Sequence, residues 1–292
     1  MAGRMKLSAA SCAAMAAAGL SGCATVGAPA APRFADCGAP SAMAAEARAQ
    51  AEVLYARPAA PFGRTESGWA VYAPAATVEI GAACPPGTAA FAEALARWQG
   101  VRGLTPSGSM DAPTLQAMIA RWQARRPFLA VRAAGICPDP PPPDALVTAR
   151  PDETAGRPVQ VRRRALKAYR RLRGAARRAL PEIADDRQLL RIFSAFRSPA
   201  YDDERCAREA NCDGVARAPC SAHRTGLAFD LMVGAVPGGA VDSTGDANRQ
   251  AQVRGLAYRW LVANAPRYGF VNYPFEPWHW EWIGEPIVRP SF

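Results

Sequence analysis

Only two histidines occur in this 292-residue chain. The first lies in Ser221-Ala222-His223-Arg224-Thr225-Gly226-Leu227-Ala228-Phe229-Asp230, and the second in Glu276-Pro277-Trp278-His279. Histidine is the commonest protein ligand for a metal. Two histidines and one carboxylate make three ligands. A catalytic zinc takes three protein ligands and keeps a fourth position open for water.

The elements around these residues must bring them to one point. His223 and Asp230 are seven residues apart, roughly 23 Å in an extended chain. Ligands of one zinc lie about 2 Å from it, so the segment must fold back, and Gly226 offers the turn. Asp230 falls inside the apolar run Leu227–Val233, which reads as a strand. A carboxylate buried there needs a cation or hydrogen-bond donors, and zinc would be such a cation. Strands are also expected at Leu189–Phe196, Tyr268–Tyr273 and His279–Ile283, and helices at Val161–Leu180 and Asp246–Ala265. In the last helix Val253, Leu256, Ala257, Trp260 and Leu261 face inward. Arg197 ends the first strand, and a cysteine-bearing loop follows it. This order predicts an α+β domain with a small, mostly antiparallel sheet.

The two motifs resemble those of VanY-type zinc D-alanyl-D-alanine carboxypeptidases. The flanks Trp260-Leu261, Asn264-Ala265, Tyr268-Gly269-Phe270 and Tyr273-Pro274 are similar as well, so the resemblance spans residues 159–285. It implies that His223, Asp230 and His279 hold Zn2+ and that Glu276 is the catalytic base. It implies further that Arg197, in Phe196-Arg197-Ser198, grips the substrate's terminal carboxylate, and that Ser221 bonds near the scissile amide. An arginine can pair bidentately with a carboxylate and so select a free C-terminus. One departure stands out. The family often has a glutamine in the loop after Ser198, where this chain has Pro199-Ala200-Tyr201-Asp202-Asp203. Trp278 and Trp280 are expected to pack around the site.

The N-terminal stretch points to the compartment. Met1 to Lys6 carries Arg4 and Lys6, and Leu7–Leu20 is a short run of small and apolar residues. Together they read as an export signal, residues 1–22. The run is shorter than the roughly 20 apolar residues of a spanning helix. Leu20-Ser21-Gly22-Cys23 resembles a bacterial lipobox, which implies lipid attachment at Cys23. Ala24 implies sorting to the outer membrane, in the periplasm, with the lipid as the only membrane attachment. Six further cysteines, Cys37, Cys84, Cys137, Cys206, Cys212 and Cys220, are disulfide candidates in an oxidising compartment. Three lie in each half, so three bridges require at least one between the halves.

Residues 23–35 read as a flexible tether and 36–137 as a small, mainly helical domain. Ala89–Gln99 has helical spacing, and Asp111 is placed to cap a second helix with Leu115, Met118, Ile119 and Trp122 inward. Trp98-Gln99, Gly103-Leu104, Gly108 and Thr114-Leu115 resemble a peptidoglycan-binding domain. Trp98 and Trp122 are expected in its core. The first half of this region, including Trp69 to Ile80, is expected to add strands. Residues 138–158 begin with a proline run and read as a linker, so the zinc domain spans 159–292.

The net charge of +10 favours an anionic partner. The helix at Val161–Leu180 is crowded with arginine, which reads as a solvated face. No aromatic interleaving or nucleic-acid motif accompanies it, which argues against nucleic acid. The expectation is a monomeric, lipid-anchored D,D-carboxypeptidase acting on peptidoglycan stem peptides. The alternatives are an endopeptidase with the same zinc site and a non-catalytic wall-binding lipoprotein.

Overall fold

Helices dominate the N-terminal region of the computed structural model, which describes residues 37–39, 41–56, 58–135, 137–209 and 220–287. The signal, Cys23, the tether and Cys212 lie outside these residues. Helix α1 is Ala44–Ala56, and a two-residue hairpin follows, β1 (Pro58–Ala59) with β2 (Glu66–Ser67). Strands expected over Trp69–Ile80 are not formed there. A 3-10 turn and helix α2 (Ala73–Glu79) occupy that stretch, with Pro74 in the first turn, where its missing N–H costs nothing. Helix α3 (Ala89–Val101) is capped by Thr88, whose hydroxyl accepts from the Phe91 amide. Asp111 caps α4 (Ala112–Ala124) as expected, its carboxylate accepting from the Thr114 amide at 2.9 Å. Helix α5 (Pro127–Ala133) follows directly.

Trp98 and Trp122 are buried. Gln99 is fully buried and pins the α3–α4 loop. Its side chain accepts from the Gly108 amide and donates to Ser109 O and Thr114 Oγ1. Gly108 has φ +70°, and a Cβ there would lie 2.8 Å from Ala92 O, so this turn requires glycine.

Past the proline run, β3 (Leu146–Thr148) pairs with β4 (Gln160–Arg162), so part of the expected linker is strand. Helix α6 (Arg163–Ala179) buries Leu166, Tyr169 and Leu172 and turns most of its arginines outward. Short helix α7 (Pro181–Asp185) leads to β5 (Ile192–Ser194). The segment after Arg197 is helical rather than loop. Pro199 opens α8 (Pro199–Glu209), and Asp202 lies in its first turn, where both are favourable. Then come β6 (Ala228–Leu231), α9 (Asp246–Arg254), α10 (Leu256–Asn264), β7 (Phe270–Asn272) and β8 (His279–Trp282). The expected single helix at Asp246–Ala265 is two helices, because Gly255 adopts an extended conformation between them. Leu256 is consequently exposed while Ala257 and Leu261 stay buried.

Strands β5-β6-β8-β7 form one antiparallel sheet, so the fold is α+β. Side chains alternate across a strand. Phe229, Leu231, Trp280, Trp282 and Phe270 share one face, and there Tyr169 of α6 stacks on Phe229 with ring centres 5.8 Å apart. Each such fully buried side chain contributes about 1.5–3 kcal/mol. The opposite face carries Asp230, His279 and Glu281.

All the described residues belong to one compact unit. Arg249 of α9 is fully buried and pairs with Glu66 of β2 at 2.9 Å. Disulfides join Cys37 to Cys84 and Cys137 to Cys220, and Cys206 is disulfide-bonded too. The Cys137–Cys220 bridge spans the two halves, as the cysteine arithmetic required. No described helix is long and apolar enough to cross a membrane.

Candidate active site

Strand register explains how three of the candidate residues meet. Asp230 on the inner strand β6 lies directly opposite His279 on β8 and opposite Ser194 on β5. Their side chains project from the same face of the sheet. His223 reaches this face from a 3-10 turn, Ala222–Thr225, that precedes β6. Ser221 starts the turn, its hydroxyl accepting from the His223 amide at 3.2 Å. Gly226 ends it at φ +68°, and a Cβ there would press on Leu146, Arg162 and Pro141 at 3.1–3.4 Å. The chain folds back at the glycine that the motif spacing singled out.

His223 Nδ1 lies 2.6 Å from Ala195 O. A carbonyl only accepts, so Nδ1 carries the proton and Nε2 presents a lone pair. Nε2 faces Asp230 Oδ2 at 3.2 Å and His279 Nδ1 at 3.2 Å. His279 Nδ1 lies 3.0 Å from Asp230 Oδ1, while its Nε2 donates to Glu281 Oε1 at 3.2 Å. Donors about 2.0–2.1 Å from one zinc at tetrahedral angles lie roughly 3.3 Å apart. The two imidazole nitrogens stand 3.2 Å apart, close to that edge, and each faces a different oxygen of the Asp230 carboxylate. All three residues are buried, and their donor atoms form a group able to hold a metal ion. Two imidazole nitrogens and a carboxylate suit zinc by chemistry as well.

Glu276 sits in the turn before β8. The turn is fixed by the Glu276 amide donating to Tyr273 O and the His279 amide donating to Glu276 O, both at 2.9 Å. Asn272 Nδ2 braces it from β7, donating to His279 O at 2.8 Å. Glu276 Oε2 comes to 4.0 Å from His279 Nδ1, beside the donor triad rather than in it.

Burial and mutual charge divide the titratable groups. Burial pushes the Glu276 carboxyl up to about 7, with the Asp230 carboxylate adding to the rise and His279 opposing it. Burial also raises Asp230, but the two histidines outweigh it and hold that carboxyl well below its usual range. Burial, aided by the Arg197 cation, lowers His223 to about 4. Burial lowers His279 as well, but its hydrogen bonds to Asp230 and Glu281 prevail and raise it to about 9. Two carboxyls in one site thus differ in role: Asp230 stays ionised and Glu276 sits near neutrality.

Arg197 follows β5 and lines the same site. Its Nε donates to Asp202 Oδ1 at 2.8 Å, Nη1 to Ser194 Oγ at 3.2 Å and Nη2 to Ser221 Oγ at 2.9 Å. A guanidinium has five N–H donors, so one on each terminal nitrogen remains beyond these bonds. Nη1 stands 3.8 Å from Asp230 Oδ2. Ser221 therefore joins the His223 turn to Arg197. Trp278 and Trp280 were expected to pack around the site; both are buried in the hydrophobic core instead, Trp280 on the sheet face opposite Asp230 and His279.

The sequence motifs did not reveal Asp202, Ser194, Glu281 or Arg126. Glu281 had a signal, since it lies two residues beyond His279 on an expected strand and so on the same face. Asp202 was within the segment read as loop. Arg126 had none. It lies outside both motifs, yet its Nη2 is 2.5 Å from Glu281 Oε1.

Residues 158–285 match the family model VanY, D-alanyl-D-alanine carboxypeptidase. The match takes in Arg197, Ser221, His223, Asp230, Glu276 and His279, so all six candidate residues fall in the segment that is similar to that family. No curated protein matches the chain.

Proposed function

We propose that the chain is a zinc-dependent D,D-carboxypeptidase that removes the terminal D-alanine from peptidoglycan stem peptides. One observation carries the reading. Within a VanY-type domain, His223 Nε2 and His279 Nδ1 lie 3.2 Å apart and each meets a different oxygen of the buried Asp230 carboxylate, at 3.2 and 3.0 Å, with the Glu276 carboxyl beside them. His223 Nε2, Asp230 and His279 Nδ1 would hold the ion. Bound there, zinc would polarise the scissile carbonyl and bring the pKa of water near 7.

The chain's own groups supply the rest. Glu276 takes the proton from the attacking water and delivers it to the leaving D-alanine amine. A carboxyl poised near 7 suits both transfers. Arg197 offers the free N–H of each terminal nitrogen to the substrate's terminal carboxylate, while Asp202, Ser194 and Ser221 fix the plane of its guanidinium. Ser221, held between Arg197 and the His223 turn, is placed to bond near the scissile amide.

The export signal, a lipid on Cys23 and residence at the periplasmic face of the outer membrane complete the proposal, with the N-terminal helices holding the wall polymer. They would put the site beside its substrate. Mass spectrometry of the products from a pentapeptide ending in D-Ala-D-Ala tests the activity. The expected products are free D-alanine and the tetrapeptide, with the C-terminally amidated peptide cleaved at least 10-fold more slowly. Equal cleavage of the amide would contradict a carboxypeptidase and favour an endopeptidase.

A further inference from the structure

Arg126 lies outside the family-matched segment, in the turn that joins α4 to α5, yet it reaches the rear of the site. Its Nε and Nη2 donate to one oxygen, Glu281 Oε1, at 2.9 and 2.5 Å. The same oxygen accepts from His279 Nε2 at 3.2 Å. Arg126 and Glu281 are both about 5 % exposed at the side chain. The guanidinium is itself fixed on two sides. Nη1 donates to Gln123 Oε1 at 2.8 Å, and the guanidinium carbon lies 4.2 Å from the ring centre of Tyr273. Tyr273 in turn meets His279 edge-on, with ring centres 6.1 Å apart. One arginine thus touches both Glu281, which meets His279 Nε2, and Tyr273, which meets the His279 ring.

A histidine can ligate a metal through Nδ1 only in the tautomer that keeps its proton on Nε2. A carboxylate behind Nε2 fixes that tautomer and the ring plane. A buried carboxylate, however, needs a counter-charge, or it becomes unfavourable where it stands. Among the described residues Arg126 supplies the one ion pair to Glu281 from a cationic side chain other than His279.

We propose that Arg126 is a positioning residue for the ligand His279. It acts through Glu281, so that the N-terminal helical region completes the metal site of the VanY-type domain. The proposal rests on the zinc reading above. It goes beyond it in assigning part of the site to a region outside the family match.

Zinc affinity of the full chain, measured by competition with a chromophoric chelator, tests it without recourse to activity. Glu281→Gln is expected to weaken zinc binding about 10- to 100-fold. Arg126→Met should weaken it about 10-fold, and Arg126→Lys, which keeps the charge, by no more than about 3-fold. Because Arg126 acts through Glu281, Arg126→Met should change affinity less than about 2-fold in a Glu281→Gln background. A merely structural arginine would cost the same in both backgrounds, and that result would overturn the proposal. So would wild-type affinity in folded Arg126→Met. If Arg126→Met does not melt cooperatively, the same comparison is read from Arg126→Lys, whose loss should vanish in the Glu281→Gln background. A wild-type chain that binds no zinc would instead overturn the reading of the site itself.

Discussion

Gln99 in the N-terminal helices and His223 in the C-terminal sheet are both buried polar side chains within recognisable motifs. They differ in where their polar atoms end. Gln99 accepts from the Gly108 amide and donates to Ser109 and Thr114, so the motif closes on itself and holds a loop. His223 spends Nδ1 on Ala195 O and turns Nε2 toward two other potential ligands. The first arrangement is a satisfied polar network and the second a convergent donor set. Motif resemblance alone did not distinguish them, whereas the direction of the leftover lone pairs does.

The largest expected effect falls on the convergent set. Glu276→Gln should lower kcat for D-alanine release by about 100- to 10,000-fold while the chain still binds zinc. Near wild-type turnover would remove Glu276 from the chemistry. Arg197→Met should come next, lowering kcat/KM roughly 10- to 100-fold on the free acid and abolishing the preference over the amidated peptide. A variant that keeps the preference would show that another group reads the carboxylate.

The Glu276 carboxyl also makes a prediction about stability in the zinc-free chain. Its folded pKa of about 7 lies above the ordinary value of about 4.3. The folded state therefore holds this proton more tightly, and the associated stability is lost as pH rises from about 4 through 7. Wild type and Glu276→Gln should melt alike on this account at pH 4. By pH 8 the variant should gain on the order of 3 kcal/mol. A difference that does not change with pH would contradict the assigned environment. The smallest effect sharpens the contrast from the other side. Gln99→Ala should cost about 1–2 kcal/mol of stability by leaving the buried Gly108 amide unpaired, with kcat unchanged well below the melting temperature. A drop in kcat at full folding would show that the helical network also serves the site.

The site was legible in the sequence where chemistry restricts residue type. Few residues ligate metals, and the chain has only two histidines, so His223, Asp230, Glu276 and His279 stood out. The turn at Gly226 was legible because the seven-residue separation required a reversal. What escaped were interactions set by tertiary packing. Arg126 is 155 residues from Glu281, and no local pattern joins them. Asp202 reaches Arg197 because Pro199 starts a helix where a cysteine-bearing loop was expected. The stretch Trp69–Ile80 was expected to add strands. Pro74 and the alanines of α2 favour a helix there, and the buried Trp69 and Tyr72 pack in the core. At Gly255 an apolar period that looked continuous was broken by an extended residue.

Zinc titration into the metal-free full chain, with D-alanine release from the pentapeptide followed at each addition, tests the central claim most directly. Activity should rise in proportion to zinc and saturate at one ion per chain, and Asp230→Asn should bind zinc poorly and stay inactive. Full activity in chelator-stripped protein, or Asp230→Asn releasing D-alanine at the wild-type rate, would contradict it.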